Sequence, residues 1–164
     1  MKKIIVIILL SVIVVSCNNL DKQSKASFDP EQEMENIALV LEKYVIANER
    51  QEIELVKEIW APDTDIVVIG TNSDEKLIGW DQIKDALQRQ FNTFEETYIS
   101  VRDQVIEINE TGNTAWFSEI LNYNYIYQDE ARQYEGLRFT GVLEKRNGDW
   151  YIVQSHMSIP GSPD

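Results

Sequence analysis

Arg138-Phe-Thr-Gly-Val-Leu-Glu-Lys-Arg-Asn-Gly-Asp-Trp-Tyr-Ile-Val-Gln-Ser-His156 is two runs rich in β-branched and aromatic residues joined by Asn147-Gly148. Asn-Gly between such runs marks a two-residue hairpin turn, because both positions tolerate positive φ. A two-residue turn fixes the register. It sets Trp150, Ile152, Gln154 and His156 on one face with Lys145, Leu143, Gly141 and Phe139. Tyr151, Val153, Ser155 and Met157 then share the other face with Glu144, Val142, Thr140 and Arg138. Both faces are largely apolar, whereas a sheet with one wet face alternates more cleanly. One face is therefore expected to cover helices or a cavity. The other is expected to meet a second subunit, giving a homodimer through the sheet.

The hairpin is the end of a longer series of strands. Ala115 to Tyr127 alternates Phe117, Leu121, Tyr123, Tyr125 and Tyr127 against Trp116, Ser118, Ile120, Asn122 and Asn124. Tyr98 to Ile108 begins with Ile99 and Val101 in one phase and ends with Ile106 and Ile108 in the other. A phase change within one strand predicts a bulge, which bends a sheet. Ile66-Val67-Val68-Ile69 reads as a short buried strand, followed by Gly70 and a polar loop from Thr71 to Glu75.

Helices precede this series. Asp29-Pro30 is a helix start, with Asp29 as cap, Pro30 in the first turn and Gln32 answering back as in a capping box. Met34, Ile37, Ala38, Leu41, Tyr44 and Val45 recur at helical spacing, with Glu31, Glu33, Glu35 and Glu42 largely off that stripe. A second helix carries Ile53, Val56, Ile59 and Trp60 and stops before Pro62. Asp81 can cap a third, with Ile83, Ala86, Leu87, Gln90 and Phe91 on one face. Helices followed by consecutive antiparallel strands is an α+β order.

The N-terminus reads as an address. Lys2-Lys3 precedes an apolar run from Ile4 to Val15, the pattern of a secretory signal. The run ends in Val14-Val15-Ser16-Cys17, which resembles the lipobox of bacterial lipoproteins, with Val14 where Leu is usual. The resemblance implies cleavage before Cys17 and acyl chains on its thiol and new amino group. Two or more chains anchor durably where one does not. The expected organisation is a signal peptide over 1–16, lipidated Cys17 and a polar tether to 28, one domain over 29–160 and a tail over 161–164. The expected location is the periplasmic or cell-surface side of a bacterial membrane.

Composition removes several functions. With 15 Lys+Arg against 28 Asp+Glu, the net charge is −13, which opposes binding to nucleic acid. One Cys and one His exclude a disulfide framework and the usual zinc sites. The 7 Gly are scattered, so no phosphate loop is formed, and no nucleophile elbow, EF-hand or paired-cysteine motif is present. No cofactor or metal is implied.

Several strings together resemble the SnoaL-like branch of the nuclear transport factor 2-like superfamily. They are Asp65-Ile-Val-Val-Ile-Gly70-Thr71, Glu75 with Gly79, Ala115-Trp116, Arg138-Phe-Thr140-Gly-Val-Leu-Glu-Lys145, Gly148-Asp-Trp150 and His156-Met-Ser158. They cover roughly Glu31 to Pro160. The resemblance implies helices packed in the concave face of a strongly curved antiparallel sheet, an α+β cone with a pocket at its open end. It also implies, commonly, a dimer through the sheet. The superfamily includes isomerases, cyclases and dehydratases that use a pocket Asp or His as base, but a fold alone does not carry a reaction.

Candidate residues have two readings each. His156 is the sole imidazole: it is a pocket base or donor, or a hydrogen-bonded lock on the last strand. Glu119 sits on an otherwise apolar strand face. It is a base with a raised pKa, or a diagonal partner of Arg102 across a turn centred on Thr111-Gly112. Arg138 can hold an anionic ligand or pair with an acid. Tyr123, Tyr125 and Tyr127 line a pocket mouth, with Tyr123 a possible proton donor, or form core and dimer contacts. Trp60, Trp80, Trp116 and Trp150 read as core. The expected ligand-binding set is Glu119, Tyr123, Tyr125, Arg138 and His156. The expected function is binding a small, partly apolar molecule. Its alternatives are a cofactor-independent isomerase, cyclase or dehydratase using Glu119 or His156 as base, and a structural dimer with a filled cone.

Overall fold

Asp29 caps the first helix by accepting hydrogen bonds from the Glu31 and Gln32 amides, and Pro30 occupies the first turn. This computed structural model describes residues 28–161; the expected signal peptide, Cys17 and most of the expected tether lie outside them. Gln32 does not close a capping box, because its side chain donates to Glu35 instead. Helix α1 runs Pro30–Arg50 and ends where Gln51 adopts left-handed backbone. Helix α2, Ile53–Ile59, stops ahead of Pro62 as the sequence predicts. Helix α3, Trp80–Phe91, begins two residues earlier than an Asp81 cap would place it. Gly79 precedes it with φ 80°, and Asp81 lies in its first turn rather than capping it.

Six strands form one sheet: β1 Val67–Ile69, β2 Lys76–Ile78, β3 Glu95–Ile108, β4 Thr114–Tyr127, β5 Glu130–Arg146 and β6 Asp149–Ser158. Their order is β2-β1-β6-β5-β4-β3. The last four strands pair antiparallel in sequence order. β1 runs parallel to β6, so the sheet is mixed rather than wholly antiparallel. β2, three residues with little burial, was not expected; it pairs back onto β1 across the polar loop.

Bulges curve the sheet. In β3 the register steps between Arg102 and Val105, so Asp103 and Gln104 together oppose Glu119. Asp103 has φ 55°, and this is the bulge predicted by the phase change. In β5, Gly136 at φ 69° sits where the register steps opposite Asn122. The Asn122 Oδ1 takes up the Gly136 amide at 2.9 Å. In β6, Val153 is an extra residue between the Leu143–Ile152 and Val142–Gln154 pairs.

The third bulge corrects the predicted hairpin register. Beyond Val153 every side chain changes face. Ser155 and Met157, not Gln154 and His156, therefore join Gly141 and Phe139 on the inner face. The inner face and the helices enclose a core that includes Ile37, Leu41, Tyr44, Phe117, Leu121, Leu137, Phe139 and Leu143. Trp60 and Trp150 belong to it, but Trp80 is half-buried and Trp116 is 49% exposed, contrary to the core reading.

Glu33 ties α1 to the final hairpin. It is buried, although the sequence sets it largely off the apolar stripe of the helix. One oxygen accepts from Lys145 Nζ at 2.7 Å, the other from Trp150 Nε1 at 2.7 Å. The Lys145 ammonium, outweighing the cost of burial, holds the Glu33 carboxyl below the usual carboxylate range.

Candidate ligand pocket

The three helices do not fill the concave face. A chamber of about 140 Å³ remains between α3, the β1–β2 hairpin and the inner faces of β5 and β6. Its wall is aromatic and aliphatic. Tyr44 from α1 stacks on Phe139 at a centroid distance of 4.7 Å, and Val68, Leu77, Ile83 and Met157 complete it. These positions follow from local sequence: strand alternation aims Phe139 and Met157 inward, and the α3 stripe aims Ile83 and Leu87 at them.

Polar groups converge on this apolar shell. Ser155 and Trp60 line the chamber, and the Trp60 Nε1–H is buried without a hydrogen-bond partner. Gln90 borders both the chamber and an outer vestibule of about 280 Å³. Its Nε2 donates to the Tyr123 hydroxyl at 2.8 Å. Burial pushes the Tyr123 phenol up to about 12, against the Gln90 hydrogen bond, which lowers it. The phenol is therefore neutral at physiological pH. Thr71 and Glu75 line both the chamber and the vestibule, and among the described residues Arg89 is the vestibule's one lining cation.

The candidate residues separate. Tyr123 and Tyr125 are inward and buried. Tyr125 stacks on Phe94 at 4.0 Å and on Tyr134 at 5.7 Å, so it supports the vestibule wall rather than lining it. His156 pairs with Thr140, not Phe139, and lies on the outer face with Val142 and Gln154, because of the extra residue at Val153. Arg138 is exposed on that same outer face, opposite Ile120 and Ser158. Neither reaches the chamber.

Glu119 is inward and 2% exposed. Its expected partner Arg102 instead bonds its neighbour Asp103 on the surface. The β3 bulge turns Gln104 in, and its Nε2 donates to Glu119 Oε2 at 2.8 Å. Oε1 has no partner. Burial raises the pKa of this carboxyl, with the Gln104 bond working against the rise. Glu119 borders an open groove of about 530 Å³ on the far side of α1, not the chamber. Glu119 and Tyr123 thus line different spaces, with Tyr44 between them. Burial, then Tyr123 and Glu119, push the Tyr44 phenol above its ordinary range.

Sequence reading missed Gln90, Trp60 and Ser155 as site residues. A glutamine on the apolar stripe of α3 was the one available signal. Among the described residues, no three His, Cys, Asp or Glu side chains are grouped to hold a metal ion. Among them also, no helix is long and apolar enough to cross a membrane.

The sequence profile of the SnoaL-like domain matches residues 37–162. The chain belongs to the SnoaL-like domain family. The SnoaL-like domain here also shares its fold with solved structures of the wider superfamily. A nuclear transport factor 2-like superfamily protein from Salmonella enterica serovar Typhimurium aligns with a TM-score of 0.75 at 18% identity, over 83% of this chain and 96% of that one. A candidate dehydratase of the same superfamily from Streptomyces avermitilis aligns at 0.74 and 15% identity, over 82% and 100%. A protein with a cystatin-like fold from Caulobacter vibrioides aligns at 0.66 and 20% identity, over 79% and 91%. Identities this low establish the cone fold alone. No curated protein matches the chain.

Proposed function

We propose that this SnoaL-like domain binds a small, partly apolar molecule in the chamber between α3 and the concave sheet, with the ligand extending past Gln90 into the vestibule. The observation that carries the reading is a chamber walled by Tyr44, Phe139, Ile83 and Met157 whose apolar lining is broken by a few polar groups, Thr71, Glu75, Gln90 and Ser155. Such a space selects a compact apolar body bearing a hydrogen-bond acceptor. Glu119 and Tyr123 line different spaces, which favours binding over turnover by that base and donor.

A thermal-shift screen of the full chain tests it. Small ring compounds with one acceptor raise Tm, and Ala86→Trp, which fills the junction of chamber and vestibule, abolishes the shift. No stabilising compound, or an Ala86→Trp variant that responds like the parent, contradicts the reading.

Lipid on Cys17 places the domain on the outer side of a bacterial membrane. The reading rests on the Val14-Val15-Ser16-Cys17 string. Cys17→Ser is expected to end palmitate incorporation and release the protein from the membrane fraction. Retention there contradicts the anchor.

The outer sheet face supports a homodimer. Trp116 and Val105, 49% and 53% exposed, stand on it beside Ile120 and Val142. Trp116→Asp is expected to give a monomer by sedimentation velocity; a parent chain that is itself monomeric overturns the dimer.

A further inference from the structure

The groove beside Glu119 has a chemistry unlike the chamber's. Glu35, Ala38, Leu39 and Glu42 recur at helical spacing and form one edge of it on α1. Val101 and Gln104 of β3 form the other, and Glu119 lies between them. Leu39 is 60% exposed and Val101 40%, an apolar floor open to solvent. Glu35 and Glu42 are two helical turns apart, about 10 Å along the axis, so carboxylates flank that floor at both ends. Among the described residues no lysine or arginine lines the groove.

Acidic side chains around an apolar strip are often only a solvated face. Glu119 distinguishes this groove. It is nearly fully buried, it borders the groove, and its Oε1 is unpartnered while Oε2 is held by Gln104. The β3 bulge that brings Gln104 inward fixes the carboxyl in that position. A buried carboxylate oxygen without a donor is costly unless a donor arrives from outside the chain.

We propose that this groove binds an organic cation, an ammonium group on a short apolar chain, with the Glu119 carboxyl turning toward the groove to accept from the ammonium and the chain lying on Leu39 and Val101. Glu35 and Glu42 attract the cation and disfavour anionic competitors. Discrimination against neutral analogues comes from the cation, which favours the ionised Glu119 carboxyl against the effect of burial, as a neutral analogue does not. The site is separate from the chamber and stands or falls independently of it.

Titration calorimetry of the full chain in phosphatidylcholine nanodiscs, with empty discs subtracted, tests the site with hexylammonium, hexanol and hexanoate. Hexylammonium is expected to bind at least about tenfold more tightly than hexanol, and hexanoate not measurably below about 1 mM. Glu119→Gln is expected to lower hexylammonium affinity by about tenfold or more, while Ala86→Trp leaves it unchanged. If Glu119→Gln does not fold, Glu35→Gln/Glu42→Gln decides, with an expected loss of about threefold or more. Equal binding of hexanol, undiminished affinity in the deciding variant, or absence of hexylammonium binding overturns the proposal. Loss of binding in Ala86→Trp assigns the amine to the chamber and overturns it as well.

Discussion

Gln90 and Tyr123 are joined across the junction of chamber and vestibule, the α3 amide donating to the β4 hydroxyl at 2.8 Å. The bond holds a helix to a strand 33 positions away in sequence and fixes which hydrogen-bonding groups face the opening. Tyr123→Phe removes the acceptor and leaves the partly buried amide of Gln90 unpaired. Stability is expected to fall by about 1 kcal/mol in urea denaturation. Affinity for a chamber ligand is expected to fall more, because the freed amide no longer keeps one orientation.

Glu33 predicts an acid-sensitive attachment of α1. Its carboxyl and Lys145 are both mostly buried, and Trp150 supplies a second donor. Glu33→Ala leaves both donors unpaired and is expected to cost about 2–3 kcal/mol at neutral pH. The folded pKa is held below the unfolded one, chiefly by Lys145. The contribution is thus present above the ordinary carboxylate range and lost as pH falls through it toward the lowered value. Denaturation midpoints of parent and Glu33→Ala are expected to converge as the solution is acidified; a constant gap contradicts this.

Glu119 has the opposite sign. Burial raises its folded pKa above the unfolded one, so the folded state holds the proton more tightly. Its contribution is full below the ordinary carboxylate range and declines as pH rises through the raised value. Glu119→Gln removes that dependence. In melts from about pH 4 to about pH 8, the variant is expected to gain on the parent steadily as pH rises. A gap independent of pH contradicts the raised carboxyl.

Gly141 is a close-approach position rather than a turn. A Cβ there would lie 2.5 Å from the Gln154 carbonyl oxygen and 2.6 Å from the Phe117 ring. The carbonyl is backbone of the neighbouring strand and cannot step aside. Gly141→Ala is expected to cost about 1–3 kcal/mol by overpacking, read from urea midpoints.

Much of this architecture is written in local pattern. The Asn147-Gly148 turn, the cap at Asp29 and the phase change near Asp103 each act within a few residues, so sequence alone placed them. The bulge at Val153 left no such trace, because Val153, Gln154 and Ser155 suit either face of a sheet. One unread residue was enough to move His156 from the pocket side to the outer side. The β4–β5 turn took Gln128 and Asp129 at positive φ without a glycine, which composition does not announce. Strand β2 has three residues with little burial and owes its place to β1. The site was less legible than the fold. Glu119 and Tyr123 were readable as polar groups on an apolar face, but which space each borders depends on where α1 lies. Gln90 and Trp60 become site residues only because three elements leave a gap beside them.

Native mass spectrometry of the full chain, isolated in mild detergent, tests the chamber most directly. The parent is expected to carry one small-molecule adduct per chain that Ala86→Trp lacks. A parent chain free of adduct, or an adduct that Ala86→Trp retains, would contradict a ligand-binding cone.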